Sequence, residues 1–371
     1  MIPRLILLSV LSAPAIAAGP DPAPAPPAPP APRWYRGNTH THTTLCDHAD
    51  STPEAVAKWY LDHGYQFLCL SEHNRFIDPA KVALPAGRRE DFILIPGEEI
   101  TGTRVHFTAF DTRRLVVPTA HSGRTKTVQA FADHTRAAGG IPIINHPNDR
   151  WTLSAADIRP VRGCRLFELY NAHPEVENDG DARHASTEKM WDTLLSGGMV
   201  MYGIASDDAH DFRSSGPGRS NPGRGWVTVR AESLTPSAIA RAMERGDFYS
   251  SSGVILRDVR VNQSEYQVIV DPAATEAETA RPGLSPHRLS NGGSASVGYK
   301  IDFVGPRGDI LLSANGTDAT FVRPPGLAYV RAKVTLTREA GGKALAYYAW
   351  TQPAFGDDRL IVAGADPAEL P

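Results

Sequence analysis

Trp34-Tyr-Arg-Gly-Asn-Thr-His40-Thr-His42 opens the part of this chain that reads as folded, and Val200-Met-Tyr-Gly-Ile-Ala-Ser206-Asp-Asp208-Ala-His210 closes the same pattern. Each is a short apolar run that ends in an H-x-H or a D-x-H just before a loop. Between these bookends lie Asp47, Glu72-His73, Glu98-Glu99, His106 and His146. A barrel of strands and helices collects its active-site residues at strand ends in this way. Nitrogen and oxygen donors in this number suit several first-row metal ions bound close together, so the chain reads as a metallohydrolase.

Working outward, Ser51-Thr-Pro53-Glu54 supplies a hydroxyl cap, a proline at the first helical position and an early carboxylate. Val56, Trp59, Tyr60 and His63 follow at helical spacing, and Gly64 stops the helix. Gln66 to Leu70 is then a buried strand that delivers Glu72-His73, which completes one strand-helix-strand unit of a parallel sheet. The rhythm continues. Strands are expected at Phe92 to Pro96 (ending at Glu98-Glu99), Val105 to Phe110, Ile141 to Ile144, Leu166 to Tyr170, Val200 to Ala205 and Trp226 to Val229. Helices are expected at Val128 to Ala138, Ser186 to Ser196 and Pro236 to Arg245. His40, His42, His73, His106, His146 and His210 are six of the 13 histidines. All fall near an expected strand end or loop except His106, which lies early in its strand, so chance placement is the poorer explanation.

After Gly253 the pattern changes to short alternating runs separated by turn residues, at Leu256 to Val261, Tyr266 to Val270, Ser296 to Phe303, Ile310 to Leu312 and Ala328 to Thr337. This predicts a small antiparallel β-sandwich-like module over 254–363, with Asp271 to Gly293 as an irregular loop. The module holds one histidine, His287, and no carboxylate-histidine cluster, which gives it a packing and substrate-shaping role. The folded hydrolase portion is placed at 34–253.

Composition excludes some classes. Lys plus Arg total 38 against 41 Asp plus Glu, a formal net charge of −3 with no basic stripe, so the chain is not built to wrap long nucleic acid. Residues 1–18 read as a signal peptide: Arg4 precedes an apolar run from Leu5 to Ala17, with Ala15-Ile-Ala17 as a cleavage site. That run is too short for a membrane span, which needs ~20 residues. The expectation is an exported protein, periplasmic or secreted, with no stable anchor after processing. Residues 19–33 are nearly all Pro and Ala and act as an extended spacer. Cys46, Cys69 and Cys164 are an odd set with no disulfide-framework spacing and read as buried thiols.

The ordered segments His40-Thr-His42-Thr-Thr-Leu-Cys-Asp47, Leu70-Ser-Glu-His73, Pro96-Gly-Glu-Glu99-Ile, His106, Asn145-His146-Pro147, Phe167-Glu168-Leu-Tyr-Asn171 and Ser206-Asp207-Asp208-Ala-His210 resemble the polymerase and histidinol phosphatase (PHP) family over about residues 34 to 250. The resemblance implies an α/β fold with a distorted seven-stranded β/α barrel and two or three divalent transition metal ions (Zn, Mn or Fe) at the C-terminal strand face. Carried over position by position, the ligands are His40, His42, Asp47, His73, Glu99, His106, His146, Asp208 and His210. Glu99 is preferred to Glu98 because it directly precedes Ile-Thr, and Asp208 to Asp207 because only Asp208 gives D-x-H. His48 stands where the family often has glycine and is read as solvent-facing rather than as an extra ligand. Segments around Asp192, Gly253 and Ala349-Trp-Thr-Gln-Pro353 look like a secreted subgroup similar to carbaryl hydrolases.

The chemistry expected is hydrolysis of a small-molecule substrate by a metal-bridging hydroxide, with Asp208 also orienting the nucleophile. His173, on the loop after Tyr170-Asn171, is a candidate proton donor or a substrate-facing residue. Arg150, Arg213, Arg219 and Arg224, with Asn171, are candidate substrate-binding residues, since guanidinium forks hold phosphate well. Phosphoester hydrolysis is the first reading, carbamate, amide or carboxyl-ester hydrolysis the second, and a non-catalytic metal-binding recognition protein the third. No Ser-His-Asp arrangement or G-x-S-x-G elbow is present. The wider amidohydrolase barrels need a bridging lysine for which this chain has no evident candidate.

Overall fold

The computed structural model describes residues 31–119, 121–216, 218–282, 287–288, 297–340 and 343–356. The expected signal peptide at 1–18, nearly all of the expected spacer at 19–33 and the last residues of the expected C-terminal module lie outside them. The described residues from Pro32 to 356 belong to one compact unit.

The chain runs β1 (Arg33–Asn38), α1 (Pro53–Asp62), β2 (Phe67–Cys69), β3 (Ile93–Ile95), β4 (Gly97–Thr101), β5 (His106–Phe110), α2 (Arg124–Ala137), β6 (Ile141–Ile144), α3 (Ala155–Ile158), β7 (Leu166–Asn171), α4 (Thr187–Ser196), β8 (Tyr202–Ser206), β9 (Trp226–Ala231), α5 (Pro236–Arg245) and β10 (Phe248–Ser251). There follow β11 (Leu256–Val261), β12 (Glu265–Val270), α6 (Pro272–Thr279), β13 (His287–Arg288), β14 (Gly298–Val304), β15 (Ile310–Asn315), β16 (Asp318–Val322), β17 (Tyr329–Ala340), β18 (Lys343–Thr351) and β19 (Ala354–Phe355). The fold is mixed α/β. Its helices are few and short, and each starts where local chemistry allows. Thr52 caps α1 ahead of Pro53, and Thr235 caps α5 ahead of Pro236. Gly246 ends α5 at φ +78, where a Cβ would also meet the Tyr202 ring at 2.5 Å, so two constraints select glycine there.

The strands expected to close a seven-stranded barrel do not form one closed sheet among the described residues. β1, β2 and β3 run parallel in one sheet. β4 to β8 form a second. Isolated bridges pair His73 with Glu99 and Thr41 with Ala209, both beside the candidate ligands. The expected strand Phe92 to Pro96 is divided after Ile95. The chain re-enters as β4, where Gly97 packs so closely on Cys69 Sγ and Ala109 O that a Cβ would lie 2.5 and 2.8 Å from them. Glu98 and Glu99 therefore sit within a strand rather than after one.

The direction of β5 explains the position of His106. β5 is antiparallel to both β4 and β6, while β6, β7 and β8 are mutually parallel. The start of β5 thus lies at the sheet end where its neighbours finish. His106, paired in register with Thr101, joins residues that follow the other strands.

Beyond residue 253 part of the chain rejoins the first sheet. β10 pairs with β9 on one side and with β18 on the other, Tyr249 opposite Thr351, so β18, β17, β14 and β15 extend the sheet that starts at β3. β11, β12 and β16 form a separate three-stranded sheet. Val259, Tyr266, Val268 and Phe321 from that sheet pack against Phe303, Val330, Ala332 and Val334, which gives two antiparallel layers over an apolar core. The stretch from Asp271, expected to be irregular, begins with α6. Asp271 caps it and Pro272 occupies its first turn. Glu278 of α6 makes a two-pronged ion pair with Arg36 of β1 at 2.7 and 2.8 Å, under the rings of Trp226 and Tyr65. Cys46, Cys69 and Cys164 are free and buried. No helix among the described residues is long and apolar enough to cross a membrane.

Candidate metal centre

Glu99 is the hub of the site. Its side chain is buried and its two oxygens face different imidazoles. Oε1 lies 3.4 Å from His40 Nε2, 3.3 Å from His146 Nε2 and 3.3 Å from His106 Nδ1. Oε2 lies 2.6 Å from His73 Nδ1 and 3.8 Å from His42 Nε2. Opposite it, Asp208 Oδ1 is 3.3 Å from His40 Nε2 and 3.2 Å from His42 Nε2, and those two nitrogens are 3.1 Å apart. Donors about 2.0–2.1 Å from one ion in tetrahedral array lie about 3.3 Å from each other. The His40–His42–Asp208 triangle has that size. Further groupings of ligand atoms, each within 4.8 Å of one another, are His40–Glu99–His146 and His42–His73–Glu99. They share members with the first, as expected for ions bridged by common ligands.

The residues behind this shell fix which nitrogen faces inward. Glu168 Oε1 takes His40 Nδ1 at 2.7 Å and Ser206 Oγ at 2.6 Å. Its Oε2 accepts from the His146 amide at 2.7 Å and Asn171 Nδ2 at 2.8 Å. With Nδ1–H given to Glu168, the His40 Nε2 lone pair is left for a cation, the orientation that metal-bound histidines adopt. His210 is set in the same way: Nδ1 donates to the Asp208 carbonyl at 2.9 Å, and Nε2 is buried with no hydrogen-bond partner. His42 Nδ1 is also buried with no hydrogen-bond partner. Such orphaned atoms are rare in folded proteins and call for a cause; a cluster of imidazoles and carboxylates converging on common points fits divalent cations.

The electrostatics agree with that fit. Burial alone would raise the Glu99 and Asp208 pKa values, yet the surrounding imidazoles hold both well below the usual carboxylate range. Burial lowers His40, but Asp208, Glu168 and Glu99 outweigh it and keep it well above the ordinary value. His210 falls to about 4 through burial, with repulsion from His48 and His173 adding to it. Backbone strain marks the same residues: Asp208 has φ +48 and His146 φ +20, conformations sparsely populated by side-chain-bearing residues and found at functional sites.

Of the residues singled out in the sequence, His40, His42, His73, Glu99, His106, His146, Asp208 and His210 come together. Asp47 does not; it is exposed and belongs to no ligand grouping among the described residues. Its neighbour His48 does approach, forming a grouping with His73 and His210 and stacking on them at ring separations of 5.2 and 4.6 Å. His42, Cys46 and His210 make another grouping. The Cys46 thiol is pushed up to about 11 by burial beside the Glu72 carboxylate, which makes it the poorest donor of the set. Glu98 turns away, accepting from the Val116 amide, and burial raises it to about 7. Asp207 also turns away: it accepts from Asn38 Nδ2, Tyr60 Oη and the amides of Gly223, Arg224 and Gly225, and so pins the loop before β9.

Asn171 Nδ2 bridges Glu168 and Asp208, the latter at 3.2 Å, and its Oδ1 accepts from the His173 amide. It is a positioning residue with no free amide left for substrate. The His173 ring packs edge-on to His210 at 5.8 Å. Its Nδ1 accepts from the Glu175 amide at 3.3 Å, which leaves the proton of the neutral ring on Nε2. The arginines do not form a prepared fork. Arg224 is buried and donates to the carbonyls of Arg219 and Gly216 and to Asn221. Arg219 pairs with Asp211 at 3.0 Å. Arg213 is exposed, and its backbone amide is bound by Asp50. The Arg150 side chain is 84% exposed. Glu168 is the part of the site whose role its motif did not declare. Glu168→Gln should weaken metal affinity roughly 10–100-fold, read by competition with a chromophoric chelator; unchanged affinity would mean that His40 is oriented without it.

No family model matches the chain, and no curated protein matches it. Among solved structures, the chain is similar to a two-domain protein from Bacteroides vulgatus containing a predicted PHP-like metal-dependent phosphoesterase, at 14% identity over 89% of this chain and 99% of that one, with a TM-score of 0.43. The functional reading rests on the geometry of the cluster itself.

Proposed function

We propose that this protein is a multinuclear metal-dependent hydrolase of PHP type acting on a small phosphoester. The observation that carries this reading is the shared carboxylate: Glu99 presents one oxygen to His40, His106 and His146 and the other to His42 and His73. One bridging carboxylate between two sets of imidazoles suits paired ions, the arrangement that in-line displacement at phosphorus uses. Bound divalent ions would lower the pKa of a coordinated water and neutralise charge on the phosphoryl oxygens. The chain's own residues supply the rest. Glu168 and Asn171 hold His40 and Asp208 in place, and His173 Nε2–H would hydrogen-bond the leaving oxygen as the P–O bond breaks and the water oxygen bonds to phosphorus, the proton given up by that water passing to the leaving oxygen. Candidate metals are Zn, Mn or Fe, because the donors are imidazole and carboxylate.

The test is turnover by metal-supplemented protein of 4-nitrophenyl phosphate, bis(4-nitrophenyl) phosphate, 4-nitrophenyl acetate and an aryl carbamate. Hydrolysis of a phosphate ester is the expected result. A second reading, a carboxyl-ester or carbamate hydrolase, is favoured by the lack of a prepared fork among Arg150, Arg213, Arg219 and Arg224; turnover of the neutral substrates alone would establish it. No turnover on any of them would leave a non-catalytic metal-binding protein. The export read from residues 1–18 belongs to the same proposal, and detection of the mature chain in a periplasmic or secreted fraction would test it.

A further inference from the structure

A cavity of about 480 Å³ opens beside the metal centre, lined by Thr101, Arg104, Val105, Pro118, Arg124 and Phe131 among others. Its link to the centre is Thr101. On β4, Thr101 lies two residues after Glu99 and so on the same strand face. It is the register partner of His106 on β5, and its hydroxyl lies 2.7 Å from His73 Nδ1. One wall of the cavity is thus a residue that touches the ligand cluster. The rest of the lining comes from the β4–β5 turn, the segment before α2 and the first turns of α2. Val105 and Phe131 give it an apolar floor and are themselves buried in the core. Leu115 and Val117, in the segment that leads to Pro118, are 43% and 64% exposed.

The charge of the cavity is one-sided. Two guanidiniums, Arg104 and Arg124, line it, and no Asp or Glu does. Both arginines are exposed, and among the described residues neither guanidinium makes a hydrogen bond or an ion pair. Other arginines near the site behave differently, since Arg219 and Arg224 are engaged by their own loop. An apolar floor with two uncommitted forks at the rim is complementary to a molecule with an apolar body and one anionic group.

We propose that this cavity is the subsite for the leaving portion of the substrate, and that it takes an aryl or similarly bulky apolar group carrying a carboxylate, held by Arg104 and Arg124. The assignment of a leaving portion rests on the reading of the adjacent cluster as the hydrolytic centre; the binding preference does not.

The probe pair is 2-naphthoate and its neutral analogue 2-naphthamide, titrated into metal-loaded full-length protein by calorimetry or fluorescence. The expected result is binding of naphthoate at least about tenfold tighter than the amide, the scale of one charge-assisted contact. The double variant Arg104→Ala/Arg124→Ala should bring naphthoate down to the amide's affinity and leave the amide unchanged. Thr127→Trp, which fills the cavity from α2, should weaken both. Equal affinity in the wild type, or Thr127→Trp sparing both ligands, would overturn the proposal. So would a naphthoate preference that survives loss of both arginines, since the carboxylate would then be held by the metal ions. Binding as expected by a protein that turns over none of the chromogenic esters would sink the hydrolase reading and keep the subsite.

Discussion

Asp208→Asn should lose turnover of whichever ester the protein accepts by at least about 1000-fold, while its unfolding midpoint changes little. Asn is chosen because it keeps the shape of the side chain and tolerates the positive φ of this position. The loss follows from what Asp208 Oδ1 does: with His40 and His42 it forms a triangle of donors 3.1 to 3.3 Å on a side. Replacing the anion by an amide removes a ligand and a unit of charge that balances the cations. Lewis-acid stabilisation is worth several kcal/mol, and each ~1.4 kcal/mol is tenfold in rate. Kinetics and thermal denaturation on the same preparation decide it. Activity within tenfold of wild type would remove Asp208 from the reaction, and an equal collapse of stability would make the ions structural.

Asp192→Ala should destabilise the fold by about 3–5 kcal/mol, the cost of stranding a buried charge. Asp192 on α4 makes a two-pronged ion pair with Arg331 on β17, Nε–Oδ1 2.9 Å and Nη2–Oδ2 2.8 Å, with side chains 6% and 2% exposed. The Arg331 guanidinium also lies over the Trp191 ring. The pair joins a helix of the first part of the chain to a strand of the last, so urea unfolding should show the loss as a single transition of lower midpoint. A change below about 1 kcal/mol would mean that water reaches Arg331 and the pair counts as a surface one. The neighbouring Glu188 gives the same joint an acid limit. Burial alone would raise its pKa, but Lys333 and Arg331 hold it at about 2. A depressed carboxylate stabilises above its unfolded pKa, near 4.5, and that contribution fades as pH falls from about 4.5 toward 2. Glu188→Gln should flatten the thermal midpoint over that window; an unaltered acid limb would place the limit elsewhere.

Much of the candidate site was legible because the residues that converge there follow short apolar strands. The β1–α1–β2 unit, with its Thr52 cap and Gly64 stop, carries His40, His42 and His73 where the pattern puts them. The structure turns the Glu99 and Asp208 carboxylates toward the histidines and those of Glu98 and Asp207 away from them. What escaped is set by distant partners. The loop from Thr43 to Asp50 has no periodicity to read. Its shape comes from the Glu72 carboxylate accepting the Thr43 amide, and from the Asp50 carboxylate taking the amides of Phe212 and Arg213. Those contacts turn His48 toward the cluster and leave Asp47 in solvent. The continuation of the first sheet past Gly253 is equally nonlocal, because β10 finds β18 across the intervening residues. Alternation reveals that a segment is a strand, not which strand it joins. The fate of Arg224 is decided by carbonyls of its own loop, which composition cannot rank against a substrate.

Metal content tests the central claim most directly. Elemental analysis of protein purified without chelator should find two or more divalent transition metal ions per chain, because His40, His42, His73, Glu99, His146, Asp208 and His210 fall in overlapping ligand groupings, with His106 3.3 Å from Glu99, and together exceed what one ion can accept. Less than one equivalent, with no gain on adding Zn or Mn, would contradict the account.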